Sequence, residues 1–478
     1  MFIILLSIFN ARDFSLSDNF TTNNAQLTQN WRQGCLIELE IQDLSDNGDG
    51  VGRWEGRVVF VPNTVVGDRA LVRLVRVKRH YGQGKLHQLL ETSPHRIRPS
   101  CMVADKCGGC QWQHIDYNYQ LQAKREQVIQ ALQRIGKIPQ PPVAPVLAVS
   151  PLAYRNKATY PLGISATGKV QAGYYRQGSH QLVNLNQCPV QDSRLNPFLA
   201  EIKQDIQQRG WSIYNEQNHQ GDLRHLSLRI GHHTGEVLLT LVSKSRELAN
   251  SEEQAKIWLQ RYPQLVGVCL NHNPKRTNTI FGNYTHTLAG QSYLQETFAG
   301  LKFQLRPETF FQVNTEAAEA LLAVIIQQLN LQGKEILLDA YCGIGTFTLP
   351  LAAQVKQAIG IEVQSTAVEQ ARFNAQINQM SNSEFHTGKV ENVLPQLNLN
   401  PDIVLLDPPR KGCEIKVLET LLKMKPKGIV YVSCKPATLA RDLDILCHQG
   451  NYQLTFVQPA DFFPQTSHVE CAAFLNLR

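Results

Sequence analysis

The 478-residue chain lacks an opening segment that could carry it into or across a membrane. The first residues, MFIILLSIF, are too short to span a bilayer and lack the basic start and small-residue cleavage site of a secretory signal. Its eleven cysteines also lack the close, even spacing of a disulfide-stapled secreted domain. We therefore expect a cytoplasmic monomer without membrane contacts, with thiols kept for metal binding or catalysis, and residues 1–31 as a disordered extension.

Charged residues are few, at 18% against 43% hydrophobic residues, which is typical of a folded protein of several domains and not of a disordered chain. The charge balance is positive, with a formal net charge of +7, and this favours a polyanionic partner. Acids are absent from residues 72–88, VRLVRVKRHYGQGKLHQ, which hold five Lys or Arg, two His and one Tyr. This composition favours nucleic-acid binding over a merely solvated strand face.

The chain has no internal repeats, and its hydrophobic pattern changes along its length. Residues 32–95 alternate short apolar strands with Gly-containing turns, which predicts a small β-barrel. Residues 96–300 predict a mixed α/β central domain that contains a cysteine cluster. From 301 to 478 strands alternate with helices, the pattern of a doubly wound parallel sheet. We therefore predict a multidomain protein with a β-barrel first and an α/β domain last.

The cysteine cluster lies in CMVADKCGGC, which contains Cys101, Cys107 and Cys110. Its paired glycines let the backbone fold tightly around a metal centre. Three thiolates are one short of a closed site, and we expect Cys188 as the fourth because it precedes proline in a polar turn. Zinc and a [4Fe–4S] cluster both accept four thiolates, so the spacing alone leaves both open.

A cofactor site is indicated by EILLDAYCGIGTFTLPLA, a buried strand that ends at Asp339 and is followed by Gly343, Gly345 and a helix starting near residue 346. A dinucleotide fold would need a third glycine where this chain has Thr348, so no pyrophosphate is expected. The next strand, AIGIEV, ends at Glu362, whose carboxylate can accept hydrogen bonds from both ribose hydroxyls. This pattern predicts an adenosyl ligand without phosphates, of which S-adenosylmethionine is the common one.

Two further predicted strands end at residues that could take part in a reaction. PDIVLLDPPRKG places Asp407 before two prolines at the sheet edge, but Arg410 follows instead of the aromatic residue that amino-group methylases use to stack on the target base. IVYVSCKPATLARDL places Cys434 where a strand gives way to a loop. A buried structural cysteine is the ordinary interpretation. Methylation of uracil carbon 5, however, needs a thiolate that adds to carbon 6, and Cys434 suits that role.

These motifs together resemble the bacterial RNA uracil-C5 methyltransferases, which make 5-methyluridine in ribosomal and transfer RNA. The resemblance implies an RNA-binding TRAM (OB-like) barrel, a class I S-adenosylmethionine-dependent methyltransferase domain, and a [4Fe–4S] cluster on the four cysteines. The general base that it implies is Glu470 of HVE. The implied cofactor contacts are Gln312 of PETFFQVN, Tyr341, Thr346, Glu362 and Asp407.

The resemblance also implies a substrate, which we expect to be 23S ribosomal RNA, because the barrel and the cluster cysteines resemble ribosomal-RNA enzymes more than transfer-RNA enzymes. Two alternatives stay open: uridine C5 methylation of transfer RNA, and a non-catalytic RNA-binding protein with the same fold. Loss of Cys434 or Glu470 would have indicated the second alternative, and both residues are present.

The basic segment generates a prediction about salt dependence. Replacing Arg76, Lys78 and Arg79 by Ala should weaken RNA binding, because counterion release on phosphate contact drives such binding. Each lost contact should lower the slope of log Kd against log salt concentration by roughly 0.7 to 0.9.

A matched triple change at Lys416, Lys423 and Lys425 controls for the lost net charge and should leave the slope as it is. An equal loss of slope in both triples, or no loss in either, would contradict RNA binding by the basic segment.

Overall fold

The computed structural model describes residues 31–478, so the expected extension at residues 1–31 lies outside the described residues except for Trp31. The Trp31 ring stacks on Trp54 with ring centroids 5.8 Å apart, and its indole N–H donates to the Lys78 carbonyl oxygen at 2.8 Å. Trp31 therefore packs with the β strands that follow it, and the extension assigned from the sequence is one residue too long.

Alternating side chains build the predicted β-barrel, which is confirmed. Ile37, Leu39 and Ile41 on the first strand are buried while their neighbours face solvent. Gly84 lets two strands approach, since a Cβ there would lie 2.2 Å from a methyl group of Val72. The barrel closes in the order β1-β2-β3-β5-β4. Its strands are β1 (Leu36–Leu44), β2 (Gly50–Trp54), β3 (Arg57–Val61), β4 (Arg69–Val77) and β5 (Tyr81–Glu91).

Residues 44–49 and 94–478 form a second compact unit, which opens with helix α1 (Tyr117–Arg134) and a seven-stranded mixed sheet in the order β12-β11-β10-β9-β6-β7-β8. Its strands are β6 (Lys157–Ile164), β7 (Val170–Tyr175), β8 (Leu182–Asn184), β9 (Leu223–Ile230), β10 (Val237–Ser243), β11 (Leu265–His272) and β12 (Tyr284–Gly290). The helices in this region are α2 (Asn196–Arg209) and α3 (Ser251–Arg261), with a 3-10 turn at Ser193–Leu195. A β hairpin follows, formed by β13 (Leu294–Phe298) and β14 (Leu301–Leu305). This hairpin spans the domain boundary expected between residues 300 and 301, because its two strands pair with each other.

The last part of the chain is a doubly wound sheet, as predicted, in the order β17-β16-β15-β18-β19-β21-β20. Its strands are β15 (Ile336–Asp339), β16 (Gln357–Glu362), β17 (Ser383–Thr387), β18 (Ile403–Leu406), β19 (Gly428–Ser433), β20 (Tyr452–Ala460) and β21 (Glu470–Leu477). Its helices are α4 (Thr315–Leu329), α5 (Thr348–Ala352), α6 (Ser365–Ile377), α7 (Val390–Val393), α8 (Ile415–Met424) and α9 (Pro436–Asp444), with a 3-10 turn at Leu394–Gln396 and a π turn at Ile445–Gln449.

The strands of this sheet are buried on both faces. Leu337 of β15 belongs to one apolar core and its neighbour Leu338 to the other, as successive side chains of a strand must when helices cover both sides. The strands β15 to β19 pair in parallel, whereas β21 runs antiparallel to β19 and β20. Within residues 31–478, the helices are too short or too polar to cross a membrane.

A buried ion pair ties α1 to the C-terminal sheet. Lys124 and Asp461 are both fully buried, with Nζ 2.6 Å from the carboxylate, and Nζ also donates to the Phe463 carbonyl oxygen at 3.2 Å. Burial raises the pKa of Asp461 and lowers the pKa of Lys124, because both charged forms lose water. The pair is thus stable only while each charge has its partner.

Lys124→Met should lower the free energy of unfolding by about 3–5 kcal/mol, because it leaves a buried carboxylate without its partner. Urea denaturation followed by circular dichroism measures this. Lys137→Met is the matched control, since the Lys137–Asp444 pair is exposed and should contribute less than about 1 kcal/mol. Equal losses in the two variants would contradict the importance of the buried pair.

Candidate active site

Four parallel strands and one antiparallel strand bring their chemical residues to one edge of the sheet. Glu362, Asp339, Asp407 and Cys434 stand at or just beyond the carboxyl ends of β16, β15, β18 and β19, which are adjacent in that order. Glu470 begins β21, which runs back from the same edge. Ligand sites of open α/β sheets lie at such carboxyl ends, beside the point where the strand order reverses.

The pairing of β19 with β21 sets Cys434 and Glu470 face to face. The last pair of this antiparallel ladder is Ser433 opposite Cys471, so the next residues in register are Cys434 and Glu470. Glu470 is also close enough for its charge to raise the pKa of the Cys434 thiol. A thiol and a carboxyl group are therefore next to each other at the edge of the sheet.

The turn after β15 is organised by Asp339. One carboxylate oxygen accepts from the Tyr341 backbone N–H at 3.3 Å and the other from the Thr348 hydroxyl at 2.6 Å. Gly343 and Gly345 have φ of 54° and 84°, where L side chains are strained. Helix α5 begins at Thr348, slightly later than the sequence indicated, because the preceding residues form this turn. Thr348, where a dinucleotide fold has glycine, thus holds Asp339 in place.

Gln312 approaches the edge on the segment before α4. Its side chain is buried, and its backbone carbonyl oxygen accepts from the Asn156 side-chain amide at 2.9 Å. The same amide donates to the Thr315 hydroxyl at 2.9 Å, so Asn156, just before β6, fixes the start of α4. Thr346 is buried in the turn after β15, and Glu362 accepts from the Gln364 backbone N–H at 2.8 Å.

The Cys434 thiol is half-buried between β19 and α9. Its pKa is raised to about 11, chiefly by burial and then by the nearby Glu470, with a smaller contribution from Asp407, while the Arg410 guanidinium opposes the rise. Arg410 is also within 3.1 Å of His468 Nε2. Burial, followed by Arg410, lowers the pKa of His468 to about 4, so this imidazole is neutral and can accept the hydrogen bond.

The carboxyl groups along the edge influence one another. Burial raises the pKa of Asp339 to about 6, and Glu362 adds to the rise. Burial and then Asp339 raise the pKa of Asp407, and burial and then Asp407 raise that of Glu470 well above its usual range. A row of buried acids of this kind favours a bound cation, because opposite charge stabilises the ionised carboxylates.

Hydrogen bonds tie α9, the helix after Cys434, to the loop after Asp407. The Thr438 hydroxyl donates to the Arg410 carbonyl oxygen at 3.3 Å. The buried Asp442 accepts from the Cys413 backbone N–H at 2.9 Å and from the Tyr431 hydroxyl at 2.5 Å. Sequence reasoning missed Thr438 and Asp442, although both lie within SCKPATLARD.

The four cluster cysteines line one cavity of about 310 Å³, which also contacts Arg410 and His468. Burial raises the pKa of Cys107 and Cys188, and that of Cys110 to about 12. Among residues 31–478, no three His, Cys, Asp or Glu side chains are arranged so that they could hold a metal ion as they stand. The structure therefore brings Cys188 to the other three thiols without closing them around a single ion.

Comparison with known proteins gives two family matches. The model of tRNA (uracil-5-)-methyltransferases matches residues 116–478, and the TRAM domain model matches residues 31–87. An uncharacterised RNA methyltransferase of Nostoc sp. is 69% identical over 94% of this chain and 97% of its own length. One of Synechocystis sp. is 57% identical over 95% of this chain and 98% of its own length. The solved tRNA (uracil-54, C5)-methyltransferase of Pyrococcus abyssi, in complex with S-adenosyl-L-homocysteine, is similar with a TM-score of 0.74 and 27% identity over 92% of this chain and 100% of that one.

Proposed function

We propose, from the premise that the chain belongs to the tRNA (uracil-5-)-methyltransferase family and is an RNA methyltransferase with a TRAM domain, that it methylates carbon 5 of a uridine in RNA through a covalent adduct. The observation that carries this proposal is the proximity of Cys434 and Glu470, each next to a member of the Ser433–Cys471 pair at the acidic edge of the sheet. A nucleophile and a base side by side are what substitution at uracil carbon 5 requires.

S-adenosylmethionine, when bound, supplies the methyl group. The residues at the edge fit such a ligand: a Cβ at Gly343 would meet nothing within 4 Å, which leaves open space beside the turn. Glu362 is the proposed partner of the ribose hydroxyls. The acid row suits the positive sulfonium, and Asp407 is its nearest proposed partner. Gln312, Tyr341 and Thr346 are proposed as further cofactor contacts.

The proposed reaction assigns one role to each residue of the pair. The half-buried Cys434 thiol gives its proton to solvent, and the thiolate adds to carbon 6 of uracil, which makes carbon 5 nucleophilic. Arg410 favours the thiolate, because it is the positive group that lowers the thiol pKa. Once carbon 5 carries the methyl group, the Glu470 carboxylate accepts the proton from carbon 5. The carbon–sulfur bond then breaks, which restores the thiolate and the double bond of the ring.

Two other functions fit the site less well. Methylation of an exocyclic amino group through Asp407 would leave Cys434 without a task, and Arg410 stands where that chemistry needs an aromatic residue. A non-catalytic RNA-binding protein would not need a thiol opposite a buried carboxyl group. The pair of Cys434 and Glu470 therefore supports the uracil-C5 reaction over both.

We propose a uridine of 23S ribosomal RNA as the target, on the resemblance described above, with transfer RNA as the second candidate. The Pyrococcus abyssi match favours the second, since that protein acts on tRNA. The match covers 92% of this chain. The part that it leaves uncovered is shorter than residues 1–30 and the barrel together, so the match cannot omit both. The barrel thus does not separate the two substrates, contrary to our expectation. Mapping 5-methyluridine in both RNA classes, in cells with and without the protein, decides between them.

Cys434→Ala should form neither a covalent RNA adduct nor 5-methyluridine, because addition to carbon 6 is the first step. Glu470→Gln should still add and methylate, then stall before the proton leaves carbon 5, so that the adduct accumulates. A denaturing gel with labelled RNA and S-adenosylmethionine shows a heat-stable protein–RNA band in Glu470→Gln and none in Cys434→Ala.

Cys447→Ala and Glu414→Gln are matched controls, one at a half-buried cysteine and one at an exposed glutamate. Both should turn over like the unmodified protein. An adduct in Cys434→Ala would remove Cys434 from the mechanism, and full turnover by Glu470→Gln would remove Glu470.

We further propose that Cys101, Cys107, Cys110 and Cys188 hold a [4Fe–4S] cluster with a structural role. The support is their convergence on one cavity whose volume, about 310 Å³, is far larger than one ion needs. Four irons hold their thiolates farther apart than a single zinc ion, which binds each sulfur at about 2.3 Å. The ligands would bind as thiolates, so the metal centre must offset the raised thiol pKa values.

Protein purified without oxygen should be brown and hold about four iron atoms per chain. Cys188→Ser should lose most of this iron, because it removes one of four ligands, whereas Cys447→Ser, outside the cavity, should keep it. Iron and zinc analysis by mass spectrometry measures both. Stoichiometric zinc without iron would overturn the cluster assignment.

A further inference from the structure

Residues 461–468, the connector segment, join β20 to β21 and lead directly to Glu470. The segment has no regular secondary structure, yet six of its eight residues are buried. Buried backbone groups need hydrogen-bond partners, and here the partners cannot come from a strand or a helix of the segment itself. The contacts of the connector segment therefore act together with the pairing of Glu470 opposite Ala460 to present Glu470 to its site.

Several of the partners come from α1, from Trp112 before it and from Tyr154 after it. The Gln465 backbone N–H donates to the Gln120 side-chain oxygen at 3.1 Å, and the Gln465 carbonyl oxygen accepts from the Trp112 backbone N–H at 3.0 Å. The Tyr154 hydroxyl donates to the Pro464 carbonyl oxygen at 3.1 Å. The middle of the connector segment is thus held by side chains far away in sequence.

Gln120 and Gln465 form a reciprocal pair. The Gln120 side-chain amide donates to the Gln465 side-chain oxygen at 3.1 Å while its oxygen accepts from the Gln465 backbone. The same Gln120 amide lies 3.0 and 2.9 Å from the carbonyl oxygens of Trp112 and Ile115, which fix its orientation. Gln465 has φ of 70°, a left-handed conformation that a residue with a side chain keeps only when its surroundings impose it.

The other end of the connector segment reaches the reacting groups. Its last residue, His468, lies within hydrogen-bond distance of Arg410, the cation that favours the Cys434 thiolate. Glu470 follows after one residue. A shift of the connector segment would therefore move the carboxylate of Glu470 away from carbon 5, while Cys434, on β19, would stay in place.

We propose that Gln120 and Gln465 are positioning residues that hold the connector segment so that Glu470 reaches the proton on carbon 5. This inference rests on the proposed function of Glu470. It predicts a specific defect: loss of the pair slows proton removal more than it slows adduct formation.

The test is Gln465→Ala in the full-length protein with labelled RNA and S-adenosylmethionine. Turnover to 5-methyluridine should fall roughly ten- to hundredfold, the range that a small misplacement of a reacting group can cause. The fraction of enzyme trapped as covalent adduct should rise at the same time. Gln465→Gly keeps the left-handed backbone without strain and should show the same accumulation, which separates the lost amide pair from backbone strain.

Gln453→Ala, an exposed glutamine on β20, is the matched control and should change neither quantity. Hydrogen exchange of the protein without RNA should be faster over residues 461–470 in Gln465→Ala and unchanged in Gln453→Ala. A merely structural role would lower turnover and adduct together.

Unchanged turnover, unchanged exchange, or a parallel fall of turnover and adduct in the Gln465 variants would each overturn the inference. If the unmodified protein formed neither adduct nor 5-methyluridine, the proposed function would fail, and the role of Glu470 with it. Adduct and product in the unmodified protein, without accumulation in either Gln465 variant, would overturn the inference alone.

Discussion

One register, Ser433 opposite Cys471, determines whether the site exists. It places Cys434 opposite Glu470, and a slip of a single residue would turn every side chain of β21 to the other face of the sheet. Such a slip would bury the Glu470 carboxyl group among the apolar residues that pack below the sheet. The register is well determined because Ala472 and Phe474 belong to one core and Ala473 and Leu475 to the other. Packing on two faces thus fixes the pair that the chemistry needs.

Burial of the carboxyl groups at this edge costs free energy, and it also suits the edge to a ligand or a reaction. Asp339, Asp407 and Glu470 are carboxyl groups in low dielectric, where the charged form is disfavoured and the pKa is raised. A protein gains no stability from such a row, since apolar residues of the same volume would pack without that desolvation cost. Perturbed groups of this kind gather where a ligand or a reaction needs them. A cationic ligand at this edge would offset part of the cost.

Local sequence patterns predicted the structural features that nearby residues determine. Apolar runs that end in Asp339, Glu362 or Cys434 could be recognised because strand ends are set by nearby residues, and parallel strands bring those ends to one edge. The partnership of Lys124 with Asp461, or of Gln120 with Gln465, leaves no mark in a short window, because the partners come from distant parts of the chain.

Domain boundaries depend on tertiary contacts for a related reason. The 300/301 boundary was set by a change of pattern, whereas the hairpin of β13 and β14 is held by pairing between strands on either side of it. Trp31 was assigned to the extension although its ring packs on Trp54, a contact that depends on the folded barrel. Tertiary contact, and not local propensity, decided both positions.

The depth of the pair constrains the RNA as well as the protein. Cys434 is half-buried and Glu470 is buried, so in the proposed mechanism a uracil inside a stacked duplex could not bring carbon 6 to the thiol. The base has to leave its stack, which costs a few kcal/mol in a duplex and least where the base is already unpaired. The chemistry at carbon 5 is the same for every uridine, so it selects none. In the proposed mechanism, selection among uridines therefore depends first on this unstacking cost, which favours loops and single strands. Phosphate contacts by a basic surface would set the orientation of the RNA without reading its bases.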